Sequence, residues 1–462
     1  MDSRILFPSL PKWFTPRDYQ LEAIQKWSEN DYRGLLEMAT GTGKTLTALT
    51  AITKRYEETN RLAVIILCPY QHLVDQWAKD AESFGMNPVL CYGSKSQWTS
   101  ILSGKITQYN FKIQNFMCVI ARNSTFKNAN FQAQLNRITD GGMIVADEAH
   151  NLGTKQSLQS LPTTFKNRLA LSATPIRHHD DSGTEQLLNY FGGSIYKFTL
   201  EEAIKKGFLT KYYYYPHLVS LTEDELEIYH ELTNKISKLV NLSDQQSIES
   251  TGSTTGLLEM LLIKRARLIN SAQQKDILLK KQLSMQETLD HTIVYCGDHS
   301  IEDQRHVDHI AQFLSEDLNI SAKTFTSTES KELRQILLKE FSENAIQALV
   351  AIRCLDEGVD VPSAETAYIL ASTTNPKEFI QRRGRILRKH PGKEYAYIHD
   401  YIVIPRPLTE IDLLTDKEFN IERRLLMNEL KRVNEFASIS ENHYQALQVL
   451  NPIKEAFNLV DL

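Results

Sequence analysis

Three groups of residues in this 462-residue sequence have the types and spacing for chemistry on a phosphorylated ligand. The first is Gly41-Thr42-Gly43-Lys44-Thr45, which stands between an apolar run and an apolar helical pattern in LLEMATGTGKTLTALTAI. Successive backbone N–H groups of such a loop converge on phosphate oxygens, and the following helix adds the positive end of its dipole. Thr40 through Thr45 would line the phosphates, with Lys44 reaching the β and γ groups and the Thr45 hydroxyl on a Mg²⁺ ion. Met38 replaces the first glycine of the general loop pattern. The second group, Asp147-Glu148-Ala149-His150, follows the apolar run 143–146. That puts two carboxylates at the C-terminal end of an expected parallel strand, the edge where open α/β sheets bind ligands. Asp147 suits a divalent cation, and Glu148 can orient and deprotonate a water that attacks a γ-phosphate. Alone, such a pair is more often a helix cap or a solvated turn; the phosphate loop upstream reverses that balance. The third group is Arg382, Arg383, Arg385, Arg388, Lys389 and Lys393, with no acid before Glu394. In isolation it reads as a solvated basic helix.

The elements that must carry these groups follow from periodicity. Short runs rich in Val and Ile alternate with longer helical patterns, the signature of parallel sheets covered by helices on both faces. A first set of strands is expected at 35–39, 62–68, 117–121, 143–147 and 168–172, with helices at 46–56 and 71–84, making one doubly wound α/β domain over residues 1–210. A second set at 292–296, 321–325, 348–352, 367–371 and 395–399, with helices at 302–318 and 330–342, makes a smaller domain over 288–404. Residues 211–287 are expected to be a helical connector. It contains KYYYYP at 211–216, a helical pattern at 222–240, a mobile polar loop at 241–256 and a helical pattern again at 257–283. A helical tail, strongest at 416–436, closes the chain over 405–462. The four tyrosines Tyr212 to Tyr215 are expected as half-buried sheet residues ahead of base-stacking platforms.

Composition narrows the function classes. Lys plus Arg is 52 and Asp plus Glu is 57, a net charge of −5, which excludes a globally basic binder and leaves only a local basic groove for a polyanion. The apolar runs are too short to cross a bilayer, and MDSRILFPSLPKW lacks the features of a signal peptide, so a cytoplasmic protein without membrane partners is expected. Five cysteines, Cys68, Cys91, Cys118, Cys296 and Cys354, show no CxxC pairing and read as reduced core thiols, with neither zinc nor disulfides expected.

Taken in order along residues 15–400, these segments resemble the superfamily 2 helicases and translocases, motors with two RecA-like domains. The resemblance implies two RecA-like doubly wound parallel-sheet domains in tandem, with ATP and Mg²⁺ as cofactors. TPRDYQLEAI resembles the adenine-reading entry, which implies base contact by Gln20 with Arg17 beside it. ATGTGKT is similar to motif I, ILCPYQHLVDQW to motif Ia, DEAH to motif II, and Ser172-Ala173-Thr174 to motif III. IVYC at 293–296 resembles motif IV, LDEGVDVP at 355–362 motif V, and QRRGRILR at 381–388 motif VI. Carried over residue by residue, Arg385 and Arg388 become arginine fingers, and Gly358 and Asp360 approach the nucleotide. His150, Ser172, Ala173, Thr174 and Gln381 then couple nucleotide state to closure. Fingers of this kind are worth about 10³ or more in rate.

His150 and Gln381 stand where DEAD-box RNA helicases differ, although glutamine there also occurs in DExH RNA helicases. GRILR and SATPIR look more like double-stranded DNA translocases of the XPB and phage UvsW types and the motor subunits of restriction enzymes; the Arg-Glu-Asp motif of XPB is missing. The implied partner is duplex or branched DNA, gripped by its phosphates. Candidate contacts are Pro69, Gln71, Arg122, Asp298, His299 and Arg353. The alternatives are a DExH RNA helicase and a nucleotide-gated clamp or scaffold. No nuclease motif is recognisable, so a protein partner such as a nuclease or a defence-system subunit is the implied source of any cutting.

Overall fold

The computed structural model describes residues 7–176, 180–245, 252–286, 288–301, 304–352, 361–371 and 376–460. The chain divides into two compact units, Met1–Gly207 and Phe208–Leu462.

The first unit is built on seven parallel strands: β1 (Arg33–Met38), β2 (Leu62–Cys68), β3 (Pro88–Cys91), β4 (Phe116–Arg122), β5 (Gly142–Ala146), β6 (Asn167–Ser172) and β7 (Ser194–Phe198). Their order across the sheet is β3-β4-β2-β5-β6-β1-β7. β2 and β5 are buried at every residue because helices cover both faces, which is why they read as unbroken apolar runs. β3 and β7 were outside the sequence expectation. They sit at the two edges: β3 is only four residues long and begins with a proline, and β7, SIYKF, mixes polar with apolar residues, so neither gives a long apolar signal. The core around Leu35, Ile65, Val119 and Ile144 is closed by Trp98, Phe126 and Phe131.

This strand order positions the site. β6 lies between β5 and β1, so the segment after β6 falls between the acidic box that follows β5 and the phosphate loop that follows β1. β2 and β4 are paired on the other side of β5, with Cys68 opposite Arg122.

The second unit holds β8 (Lys211–Ser220), β9 (Thr292–Tyr295), the short hairpin β10 (Ser300–Ile301) with β11 (Gln304–Arg305), β12 (Ala322–Phe325), β13 (Ala348–Ala351), β14 (Thr366–Ile369) and β15 (Tyr395–Ile404). Its main sheet is parallel, in the order β12-β13-β9-β14-β15-β8. Three expectations change here. First, the connector is not a purely helical spacer: β8 pairs with β15 from Lys211↔Tyr395 to Ser220↔Ile404, because its consecutive tyrosines, alternately buried and half-buried, suit a strand with two different faces. Second, the helix expected from 302 starts at His306, after the hairpin, and ends in a π turn at Phe313–Asp317. Third, the expected loop at 241–256 is shorter: a helix runs to Gln245 and the next begins at Gly252, the residues between lying outside those described.

The tail is part of this unit. Leu426, Leu430, Val433 and Phe436 recur at helical spacing on the buried face of the helix Asp416–Ala437. Tyr212 donates its hydroxyl to the Phe436 carbonyl, and Asn442 Oδ1 accepts from Tyr214 N at 2.8 Å while its Nδ2 donates to Tyr214 O at 2.9 Å. A side-chain amide thereby satisfies the open edge of β8, where backbone groups have no further strand to pair with. Beneath, Arg432 pairs with Asp400, and Tyr214 Oη donates to the same carboxylate at 2.8 Å. On the opposite face Tyr213 stacks on Tyr397 at 5.7 Å and Tyr215 on His399 at 5.0 Å. The tyrosine run is therefore half-buried sheet, as expected.

Among the described residues no helix is long and apolar enough to cross a membrane, and no cluster of His, Cys, Asp and Glu has a metal-binding arrangement. Cys68, Cys91, Cys118 and Cys296 are buried free thiols; burial raises all four thiol pKa values, Cys91 and Cys118 to about 12. Cys354 lies outside the described residues.

Candidate nucleotide site

The phosphate loop leaves β1 at Met38 and turns through Gly41 and Gly43, whose φ values of 86° and 80° lie in the left-handed region that glycine enters without strain. Gly43, itself in the left-handed conformation, is the N-cap of the helix Lys44–Thr59 and brings no side chain over its first turn, which leaves room for an anion at the helix N-terminus. Two residues of the entry segment brace the loop from behind. Tyr19 donates its hydroxyl to Thr42 O at 2.6 Å, and Gln20 Nε2 donates to Gly43 O at 3.3 Å. Tyr19 stacks on Phe198 at 4.2 Å, and its importance carried no sequence signal beyond an aromatic residue in a helix. Gln20 is buried and its Oε1 accepts from Arg17 N at 2.9 Å, while the Arg17 side chain is exposed and donates to Tyr19 Oη at 3.2 Å. Lys44 Nζ donates to Met38 O at 3.2 Å, which holds the ammonium over the loop. Thr40 Oγ1 is buried with no hydrogen-bond partner among the described residues.

Across β6 stands the acidic box. Asp147 N donates to Leu67 O at 2.9 Å, continuing the sheet one residue past β5. The carboxylate is held by two donors: Trp77 Nε1 to Oδ2 at 2.8 Å and Glu148 N to Oδ1 at 3.0 Å. Burial, together with the charge of Glu148, pushes its pKa up from 3.8 to about 6, against the pull of the Trp77 N–H, the Lys44 ammonium and the Glu148 N–H. With β6 alone between β5 and β1, the strand order sets loop and box at one edge of the sheet, and the Lys44 charge falls on Asp147. Glu148 itself sits at φ 43°, an uncommon backbone for a residue with a side chain. Its Oε2 is buried without a hydrogen-bond partner among the described residues, with His150 Nδ1 3.5 Å away. His150 Nδ1 meets Ser172 Oγ at 3.2 Å, and Ser172 Oγ accepts from Thr174 N at 3.1 Å. The motif III residues Ser172, Ala173 and Thr174 are thereby tied to the acidic box through one hydroxyl.

A buried carboxylate near a lysine, a buried glutamate oxygen without a hydrogen-bond partner among the described residues and a glycine-capped helix N-terminus fit a nucleoside triphosphate with a divalent cation. Lys44, Thr45 and Asp147 are the residues that would hold it. Trp77 is the residue that inspection of the sequence missed. It lies in the motif Ia string, but nothing in QHLVDQW distinguishes a donor to Asp147 from a core aromatic.

In the second unit the basic stretch separates into two classes. Arg383 is fully buried and donates to Glu435 O at 2.6 Å and Glu435 Oε1 at 2.8 Å, over the Phe436 ring. Arg382 donates to Ala371 O at 3.0 Å and lies over the Tyr295 ring. Lys393 donates to the carbonyls of Pro362, Ile386 and Arg388, which closes the C-terminal end of the helix Pro376–Ile386. These three hold the fold together. Gln381, Arg385 and Arg388 are only half-buried on the same segment.

The nucleic-acid candidates fall into two places. Pro69, Gln71 and Arg122 gather at the C-terminal ends of the paired strands β2 and β4, with Gln71 and Arg122 exposed. Asp298 is exposed after β9, and the His299 ring lies tilted against His306 at 4.3 Å with both ring nitrogens buried and without hydrogen-bond partners among the described residues. Burial and His306 lower its pKa to about 4, so His299 is neutral and offers no positive charge to a phosphate. Arg353, Gly358 and Asp360 lie outside the described residues.

Two family descriptions match the chain, one per unit. Residues 14–177 match the type III restriction enzyme res subunit and residues 274–390 the helicase conserved C-terminal domain. The chain belongs to the superfamily 2 helicases and translocases. As a member of that superfamily it is an ATP-hydrolysing enzyme. It is similar to the DNA 3'-5' translocase XPB2 of Sulfurisphaera tokodaii, 26% identical over 395 residues, 83% of this chain and 81% of that one. Among solved structures it is similar to the type ISP restriction-modification enzyme LlaBIII bound to DNA, with a TM-score of 0.61 and 19% identity. That match covers 93% of this chain but only 30% of LlaBIII. The Hef helicase domain of Pyrococcus furiosus gives a TM-score of 0.53 at 18% identity over 84% of this chain and 95% of that one. These likenesses confirm the tandem RecA-like fold.

Proposed function

We propose that this superfamily 2 enzyme is an ATP- and Mg²⁺-dependent translocase that moves on and remodels or unwinds duplex or branched DNA. The observation that carries the ATP site is the convergence, on one sheet edge, of Lys44, Asp147 and a Glu148 oxygen that has no hydrogen-bond partner among the described residues. Lys44 and the loop amides would bind and orient the phosphates, Thr45 and Asp147 would hold Mg²⁺, and Glu148 would take the proton of the attacking water. Bound there, Mg²⁺ neutralises charge on the β and γ phosphates. Arg385 and Arg388 would supply positive charge to the γ-phosphoryl oxygens on closure, and His150, Ser172, Ala173, Thr174 and Gln381 would couple closure to hydrolysis. Gln20 and Arg17 would face the base, and Gly358 and Asp360 the nucleotide from the second unit.

Support for DNA comes from the XPB2 and LlaBIII likenesses and from the exposed cluster Gln71 and Arg122 beside Pro69. Contacts of this type grip phosphates and leave base sequence unread. Arg353 and Asp298 are the further candidates. The test is ATPase activity across duplex DNA, branched DNA, single-stranded DNA and RNA, alongside displacement of a triplex strand. Duplex or branched DNA should stimulate turnover and ATP should drive strand displacement. Stimulation by RNA alone would replace the DNA assignment with an RNA one. Turnover without displacement would make the chain a nucleotide-gated clamp. A role in repair, restriction or phage defence, with a nuclease or defence subunit as partner in the cytoplasm, is the biological setting this activity would serve.

A further inference from the structure

Three tryptophans are buried in the first unit, and their indole N–H groups stand in three different situations. Trp27 donates to the backbone carbonyl of Arg168 at 3.0 Å, and Trp98 Nε1 has no hydrogen-bond partner among the described residues. Trp77 alone donates to a carboxylate, and that carboxylate is Asp147. A core aromatic needs no acidic partner, and an indole that merely requires an acceptor finds one in a backbone carbonyl, as Trp27 does.

The geometry gives the bond a purpose. A carboxylate rotates broadly about its last torsion, so one donor leaves the plane of its oxygens poorly defined. Here two donors arrive at different oxygens, Glu148 N at Oδ1 and Trp77 Nε1 at Oδ2. Together they fix the plane and leave the remaining lone pairs of both oxygens for a cation or its water. The Glu148 donor belongs to the same turn as Asp147, so it cannot define the plane against the rest of the sheet. The Trp77 donor comes from the helix Gln71–Ser83, is 1% exposed and is therefore held rigidly. Buried partners that orient a metal ligand commonly set metal affinity by about 10- to 100-fold.

We infer that Trp77 is a positioning residue for the cation site: its indole N–H orients the Asp147 carboxylate toward Mg²⁺. This rests on the nucleotide site proposed above, and the test separates the two. In the full-length chain Trp77 is replaced by benzothienylalanine, which keeps the fused ring and exchanges the N–H for sulfur, and in parallel by the encoded variant Trp77→Phe. Binding of a fluorescent ATP analogue is measured in EDTA and across a Mg²⁺ titration, with Asp147→Asn as the reference. The expected result is unchanged affinity in EDTA and a rise of about tenfold in the Mg²⁺ concentration for half-maximal binding, the low end for a hydrogen bond to an ion. If the benzothienyl protein needs no more Mg²⁺ than the unmodified chain while Asp147→Asn does, Trp77 is packing and the inference is overturned. If Asp147→Asn also leaves the Mg²⁺ requirement unchanged, the cation site itself is misplaced and the inference goes with it. Should Trp77→Phe fail to fold, the benzothienyl protein retains the packing volume and still decides the matter.

Discussion

Asp147 makes a prediction about stability whose sign runs against intuition for an acidic residue. Its proton is held with a pKa of about 6 in the folded chain against 3.8 for an ordinary aspartate. The folded state therefore binds more protons than the unfolded state between these values, and stability falls as pH rises through the window. At pH 5 about ten in eleven folded chains carry the proton and few unfolded ones do, whereas at pH 7.5 almost none of either does. The linkage integral between pH 7.5 and 5 is roughly 1–2 kcal/mol in favour of the acid side, and about 3 kcal/mol once pH passes below both values. Asp147→Asn removes this site, and its lost hydrogen bonds add a constant that does not vary with pH. The measurement is urea unfolding without nucleotide or Mg²⁺ at several pH values, followed by tryptophan emission. All four tryptophans, Trp13, Trp27, Trp77 and Trp98, lie in the first unit, so the signal reports that unit. The stability of Asp147→Asn relative to the unmodified chain should drop by roughly 1–2 kcal/mol between pH 7.5 and 5. A relative stability of Asp147→Asn that stays constant, or that rises toward acid, would refute the argument that burial raises the pKa of this carboxylate in the folded chain.

Other outcomes follow from the same geometry. Lys44→Ala should abolish hydrolysis, and steady-state ATPase assays showing normal turnover would remove the lysine from the phosphate site. Glu148→Gln should keep ATP affinity and lower kcat by about 10²- to 10⁴-fold, the usual contribution of a general base; an unmodified rate would end its assigned role. Arg385→Ala should leave nucleotide affinity nearly intact and lower turnover by about 10³-fold in single-turnover measurements. In the second unit, Arg432→Met strands the buried Asp400 carboxylate without its guanidinium and should cost about 3–5 kcal/mol by circular dichroism. Adding Asp400→Asn should recover most of that loss, and a double variant as unstable as the single one would contradict a charge-based account.

The legible parts of this protein were those in which chemistry and periodicity coincide. β2 and β5 could be read because strands covered on both faces have no polar residues to interrupt them. The loop and the box could be read because a lysine after glycines and paired carboxylates after an apolar run have few other uses. β3, β7 and β8 were harder because an edge strand shows one face to solvent and need not be apolar throughout, and in KYYYYPHLVS the alternation lies in burial, with four like residues in a row giving no sign of it. The role of Trp77 was not legible at all, since the donor and its acceptor are 70 residues apart and meet only through the pairing of β2 with β5. The division of the basic stretch was hidden for a similar reason. Arg383 differs from Arg385 because Glu435 arrives over it from the tail, and no feature of QRRGRILR announces that.

The Arg383–Glu435 pairing has a practical consequence for how the protein can be shortened. Removing the segment beyond Pro407 would leave a guanidinium in the interior with neither acceptor, uncover the ring face of Phe379 that Phe436 packs against, and bare the outer margin of the second sheet. A trimmed protein would then carry damage at the root of the helix that presents Arg385, so any loss of turnover would reflect a loosened foundation and would say nothing about a separate duty of the missing residues.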